Sequence, residues 1–219
     1  DTDSAKWLRC QDLVDGALKW QHKLSPQSVL LRVDESRLAI IEPPGSLRIF
    51  SFAEGRELAK HSVELPKSLS TAYAFADDLR LFVVLAGPVT EQSWLVTQQD
   101  RGSFRKPLTN GWLHALDRRS LSLLWTIPVK NLPFAVDQPK DSPFFVLPYK
   151  RPSDDSIDGQ HSDGVLHLID KRTGKEVFYD SGSLQNVYFA IEPDPLQERI
   201  DLLTHKRRLR FDFSGEPTK

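Results

Sequence analysis

The sequence predicts an all-β chain, a β-propeller or propeller segment built from about four four-stranded antiparallel blades, and three observations predict it. A strand-turn-strand pattern recurs four times in register and starts a fifth time near the C-terminus. Helical periodicity is almost absent. Fifteen prolines, among them Pro43-Pro44, Pro128, Pro133, Pro148 and Pro193, fall where strands are expected to end.

The first copy reads Trp7-Leu8-Arg9-Cys10-Gln11-Asp12, a turn through Gly16, and a second strand reaching Trp20. The next reads Ser46-Leu47-Arg48-Ile49-Phe50-Ser51, Gly55, Ala59. The pattern returns as Trp112-Leu113-His114-Ala115-Leu116-Asp117, Leu121, Trp125, and as Val165-Leu166-His167-Leu168-Ile169-Asp170, Gly174, Phe178. A partial copy, Arg208-Leu209-Arg210-Phe211, follows. Intervals of 39, 66, 53 and 43 residues between starts are those of propeller blades rather than helical solenoids. In each copy aliphatic residues alternate across two faces before a polar reversal. Asp12, Asp117 and Asp170 can accept hydrogen bonds from their own backbone at the turn entry, and Gly16, Gly55 and Gly174 can take positive φ at its exit.

Between the copies lie two further strands per unit. They are Val29 to Val33 with Leu38 to Ile41, Ala72 to Ala76 with Leu79 to Leu85, and Val187 to Ile191 with Ile200 to Leu203. With the four strands of a unit lettered A to D in chain order, the repeat is the C-D hairpin and the intervening pair is A-B. The chain then opens on C-D, holds three whole units and ends on A-B-C, a single domain over 1–219. Either the first hairpin completes the last unit in a small ring, or the chain is an arc of a larger propeller. An arc leaves blade edges unpaired and favours homo-oligomers.

Composition narrows the function classes. With 29 Lys and Arg against 30 Asp and Glu, the net charge is −1, so no global field draws the chain to nucleic acid or anionic lipid. The basic run His205-Lys206-Arg207-Arg208 reads as a solvated turn. The longest apolar runs, such as Leu81 to Ala86, are far too short to span a bilayer, and no membrane insertion is expected. The chain starts at Asp1 and contains no Met, which reads as a piece of a longer protein. A lone cysteine, Cys10, permits no internal disulfide and takes a repeat position filled elsewhere by Ile49, Ala115 and Leu168, so it reads as a small buried hydrophobe.

The segments Leu113 to Trp125 and Leu166 to Phe178, each an aliphatic strand, Asp, a Thr-Gly-Lys-like turn and a second strand closing on an aromatic, resemble the repeat of quinoprotein-type (PQQ-like) β-propellers. That resemblance spans essentially the whole chain. It implies a fold shared by quinone-cofactor dehydrogenases and by non-catalytic scaffolds, and an extracytoplasmic or periplasmic location. Two departures separate the chain from the enzymes: the adjacent-cysteine pair is impossible with Cys10 alone, and an arc lacks the full set of blades around a cofactor. No nucleophile elbow, zinc-protease motif or phosphate-cradling glycine loop is present. The sequence therefore reads as a non-catalytic scaffold that binds a protein or peptide, with no cofactor. The alternative is a quinone-dependent or small-anion-binding propeller working through its axial tunnel.

Three sets of residues are candidates. Two long interruptions, Gly87 to Asn110 and Pro148 to Gly164, both lie between strands B and C and so share one face of the disc, where binding loops belong. On them Trp94, Arg101, Phe104, Arg105, Tyr149 and Arg151 form a mixed aromatic and arginine surface suited to a partner. A second set, Arg9, Arg48, His114, His167 and Arg210, occupies the same position of every C strand and would form a cationic tier, either an anion-binding ring or side chains that stack on aromatics and satisfy carbonyls. The third, Asp154, Ser156 and Asp158 with Gly159, opens like a calcium loop, but Val165 stands where the bidentate carboxylate belongs. No metal is expected there.

Overall fold

The computed structural model describes residues 6–88, 108–133, 142–152, 162–181, 190–203 and 208–212. Its architecture is the expected all-β class: consecutive up-and-down antiparallel sheets of propeller-blade type. β1 (Lys6–Gln11) and β2 (Leu18–Leu24) form a two-stranded sheet. β3 (Val29–Arg32), β4 (Arg37–Glu42), β5 (Ser46–Ser51) and β6 (Glu57–Ser62) form a four-stranded sheet in chain order. A second four-stranded sheet contains β7 (Thr71–Ala76), β8 (Arg80–Ala86), β9 (Leu108–Asp117) and β10 (Leu123–Pro133). Two three-stranded sheets follow: β11 (Phe144–Pro152), β12 (Ser162–Asp170) and β13 (Glu176–Ser181), then β14 (Ala190–Asp194), β15 (Arg199–Leu203) and β16 (Arg208–Asp212). Contacts divide the chain into two compact units, Asp1–Pro88 with Gly111–Pro128, and Val89–Asn110 with Val129–Lys219.

Four C-D hairpins close in the same way. The amides of Asp12, Ser51, Asp117 and Asp170 donate to the carbonyls of Ala17, Arg56, Ser122 and Lys175 at 2.8–2.9 Å. The amides of Gly16, Gly55, Leu121 and Gly174 donate back to the carbonyls of Asp12, Ser51, Asp117 and Asp170 at 2.8–3.0 Å. This closure needs a left-handed residue at its exit, and φ there is 72°, 65°, 58° and 69°. Leucine at 121 is the exception that tests the rule: it accepts the left-handed conformation because its side chain is buried in the core at 6% exposure. The turn aspartates act as expected, with Oδ1 of Asp12, Asp117 and Asp170 accepting from the amides of Val14, Arg119 and Arg172 at 2.7–2.9 Å.

The A-B turns carry a parallel device that sequence reading missed. Asp34 accepts from the Ser36 amide at 2.9 Å and holds Arg37 through both its Nε and Nη2. Asp77 accepts from the Leu79 and Arg80 amides at 2.9 and 2.6 Å and pairs with Arg80. The signal is an Asp-x-x-Arg spacing at the start of strand B, repeated at 34–37 and 77–80. Three of the four C-D turns are also tied across the same end of the sheet, to the segment before strand B: Phe52, Arg118 and Lys171 donate backbone N–H to the carbonyls of Ser36, Leu79 and Pro143 at 2.7–2.9 Å.

Within the first unit, neighbouring sheets bury both faces of strand B. Ala39 and Ile41 of β4 and Leu47 and Ile49 of β5 pack with Leu81, Val83 and Leu85 of β8, while Ile40 and Phe50 turn the other way onto Leu8 and Leu24. This explains why β4 and β8 read as continuous apolar runs rather than alternating ones. β2 contributes Trp20 and His22: the indole Nε1 donates to the Phe52 carbonyl at 3.1 Å, and the His22 ring meets Phe50 at 4.8 Å. In the second unit, Val146, Leu166 and Leu168 pack with Ile200 and Leu202, and Phe178 meets Phe211 edge-on at 5.0 Å.

Three expectations change. Pro128, Pro148 and Pro193 lie inside β10, β11 and β14 rather than at strand ends. Each of these strands is the edge of its sheet among the described residues, the place where a missing N–H costs no ladder bond. The interruption Pro148 to Gly164 is shorter than read, because β11 and β12 stay paired from Phe144↔Asp170 out to Pro152↔Ser162. Two sheets show all four strands among the described residues, and of the third unit β11–β13 are described. Cys10 is half-buried rather than core, since its strand belongs to a two-stranded sheet.

Candidate functional site

In an up-and-down sheet the A-B and C-D turns share one end, and the B-C turn and the D-A connection share the other. At the B-C end of the first unit the turn Pro43-Pro44-Gly45 closes β4 onto β5, with the Gly45 amide donating to the Glu42 carbonyl at 3.1 Å. The Val63 amide in turn donates to the Gly45 carbonyl at 2.9 Å. A Cβ at Gly45 would lie 2.4 Å from the Val63 carbonyl oxygen, so only glycine allows this approach. Between turn and connection lies a cleft of about 620 Å³ lined by Val29, Ile41, Pro43, Pro44, Leu65, Pro66 and Leu69, with Gln27, Lys67 and Ser68 among its polar groups. Prolines hold such a wall stiff and leave few backbone donors to satisfy. The size suits a few residues of a peptide or a small apolar group.

Of the partner surface expected from the sequence, Trp94, Arg101, Phe104 and Arg105 lie outside the described residues. The backbones of Tyr149 and Arg151 run in β11, opposite Val165 and Asp163 of β12. The calcium-like positions Asp154, Ser156 and Asp158 also lie outside the described residues. Among the described residues no cluster of three or more His, Cys, Asp or Glu is arranged to hold a metal, and no helix is long and apolar enough to cross a membrane.

The five equivalent C-strand residues are all placed, and their contacts are local. Arg48 bonds Glu57 at 2.7 Å and Glu42 at 3.2 Å and lies over the Phe50 ring at 4.7 Å. Burial lowers its pKa, but the two carboxylates outweigh burial and leave it above the ordinary arginine value. Arg210 bonds Asp201 at 2.9 and 3.2 Å. His167 Nδ1 meets Glu176 at 2.5 Å, and Arg9 lies 5.9 Å from the centre of the Trp7 ring. The Arg48–Glu57 and His167–Glu176 pairs have the same nine-residue spacing from strand C to strand D. Three of the five thus meet carboxylates of their own sheets.

His114 differs. It is fully buried, with Nε2 3.3 Å from the Glu64 carbonyl and Nδ1 2.9 Å from the Thr126 hydroxyl. A carbonyl only accepts, so Nε2 carries the proton and Nδ1 accepts from Thr126. Burial pushes its pKa down to about 4, and the Glu64 bond only partly offsets that.

No known protein family matches the chain, and no curated protein matches it. Among solved structures it is similar to the WD40 domain of coronin from Toxoplasma gondii, with a TM-score of 0.42 and 11% identity over 93% of this chain and 49% of that one. A computationally designed protein, Ika4, gives a TM-score of 0.34 and 10% identity over 85% of this chain and 92% of that one. The chain spans about half the length of the coronin domain.

Proposed function

We propose that the chain is a non-catalytic propeller-type scaffold of the PQQ-like kind that binds an extended segment of a partner protein at the B-C end of its blades. The observation that carries this reading is the stiff, proline-walled cleft at that end of the β3–β6 sheet. Its wall rests on the buried strand pair β4 and β5, where Ile41, Leu47 and Ile49 are fully buried, so the groove is pre-formed and binding orders little. Trp94, Arg101, Phe104, Arg105, Tyr149 and Arg151, aromatic and arginine residues of the kind enriched at interfaces, belong to the same reading as further candidate partner-binding residues. An extracytoplasmic location accompanies the same reading.

The test is to pan a random peptide library displayed on phage against the chain. Retained peptides should lose binding to a Lys67→Glu, Leu69→Ser double variant whose thermal unfolding midpoint is within a few degrees of wild type. They should also weaken with Trp94→Ala and Arg105→Ala together. Equal retention by wild type and both variants would remove the B-C end as the binding face.

A further inference from the structure

The opposite end of the first unit carries a second cleft, of about 480 Å³, between the turns of the β3–β6 and β7–β10 sheets. Its walls include Ser36, Arg37 and Ser51 from one sheet and Arg118, Arg119 and Asp78 from the other, and the exposed Arg56–Glu54 pair lines it as well. Arginines elsewhere in the described chain mostly meet a carboxylate: Arg37 has Asp34, Arg48 has Glu42 and Glu57, Arg80 has Asp77, and Arg210 has Asp201. Among the described residues Arg118 and Arg119 have none within 4.0 Å. Arg118 is nonetheless held in place. Its Nη1 donates to the Asp77 carbonyl at 2.8 Å, its amide donates to the Leu79 carbonyl at 2.8 Å, and its own carbonyl accepts from Arg37 Nη1 at 2.7 Å. Arg119 is fixed at the backbone, where its amide donates to Asp117.

We propose that this cleft binds a phosphate monoester through Arg118 and Arg119. Two guanidinium groups that form no ion pair within 4.0 Å among the described residues, Arg119 being only loosely attracted to Asp117, match the charge of about −1.5 to −2 that such a group carries at neutral pH, and their forks suit its oxygens. The hydroxyls of Ser36 and Ser51 stand across the cleft as further polar groups. Asp78 opposes the ligand and lowers the affinity, because it subtracts positive charge from the cleft, and Glu54 acts in the same direction. The cleft is larger than phosphate alone, leaving room for the residue or small molecule that bears it. This site stands apart from the B-C cleft, and either can fail without the other.

The test is isothermal titration of the full chain with inorganic phosphate, an O-phosphoserine tripeptide and the same tripeptide unphosphorylated. Saturable binding of a phosphorylated probe is expected, weakened roughly tenfold by Arg119→Gln and strengthened severalfold by Asp78→Asn. Arg208→Gln, on β16, should leave it unchanged. Tighter binding of the phosphotripeptide than of free phosphate identifies a phosphorylated protein as the source, and equal binding identifies a free phosphate compound. The proposal is overturned if neither phosphorylated probe saturates, or if Arg119→Gln and Asp78→Asn both bind like wild type.

Discussion

Acid should weaken this fold in a window set by one residue, His114. The imidazole is neutral in the folded chain, fully buried between Thr126 and the Glu64 carbonyl, with its pKa pushed down to about 4 from 6.5. In the unfolded chain it takes up a proton near pH 6.5. The unfolded state therefore binds more protons between these values, and stability falls as pH drops from 6.5 toward 4. The separation corresponds to about 3 kcal/mol lost by pH 4, a sizeable share of a typical domain's stability. The assay is urea unfolding followed by tryptophan fluorescence at pH 7, 6, 5 and 4, for wild type and His114→Gln. Glutamine has no titrating group, so the variant starts less stable and its curve is flatter across this window by about the same amount. If both curves fall in parallel, His114 is either charged in the folded chain or not buried as described.

A second acid window lies lower, at Asp34. Burial raises its pKa, but bonds from Arg37 and from the Ser36 amide and hydroxyl outweigh burial and hold it at about 2, so its stabilisation is present above 3.8 and lost as pH falls through 2. Asp34→Asn should cost about 2 kcal/mol at pH 7 by the same linkage, read from urea midpoints, and a cost under a quarter of that would show the Arg37 pair to be worth little. Gly55→Ala should lower the unfolding temperature by several degrees, because φ is +65° and the new Cβ would lie 2.5 Å from the Trp20 ring. Gly16→Ala, at φ +72° with open space around it, should cost only the backbone strain, about 1 kcal/mol, and equal effects at the two sites would contradict the Trp20 contact. Leu121→Gly should destabilise by about 1–3 kcal/mol in calorimetry, since lost burial exceeds the relief of left-handed strain; a stabilised variant would mean Leu121 is not a core residue.

The C-D hairpins were legible because their turn chemistry is local: a polar entry residue, Asp in three turns and Ser51 in the fourth, lies four positions before the left-handed exit, and three of those exits are glycines; Leu121 aligned with them, but its left-handed conformation was not read. The Asp-x-x-Arg turns were equally local and went unread, because their arginines look like ordinary surface charge until Asp34 and Asp77 are seen to grip them. Strand ends were less legible. Proline marks a strand end only where the strand has neighbours on both sides, and Pro128, Pro148 and Pro193 sit on edges. Neither cleft could be read from the chain, since each gathers residues from segments that are far apart in sequence: Val29, Pro43 and Leu69 in one, Ser36, Asp78 and Arg118 in the other. Equivalence of Arg48, His114, His167 and Arg210 was correctly visible in the repeat, but spacing alone did not reveal that Glu42, Glu57, Glu176 and Asp201 lie within reach of three of them.

Hydrogen exchange of the chain with and without a panned peptide tests the central claim most directly. Slowed exchange at Gly45 and at the backbone of 63–70, with the A-B and C-D turns unchanged, is the result expected for recognition at the B-C end. Protection confined to the turns around Ser36, Gly55 and Arg118, or none anywhere at saturating peptide, would contradict it.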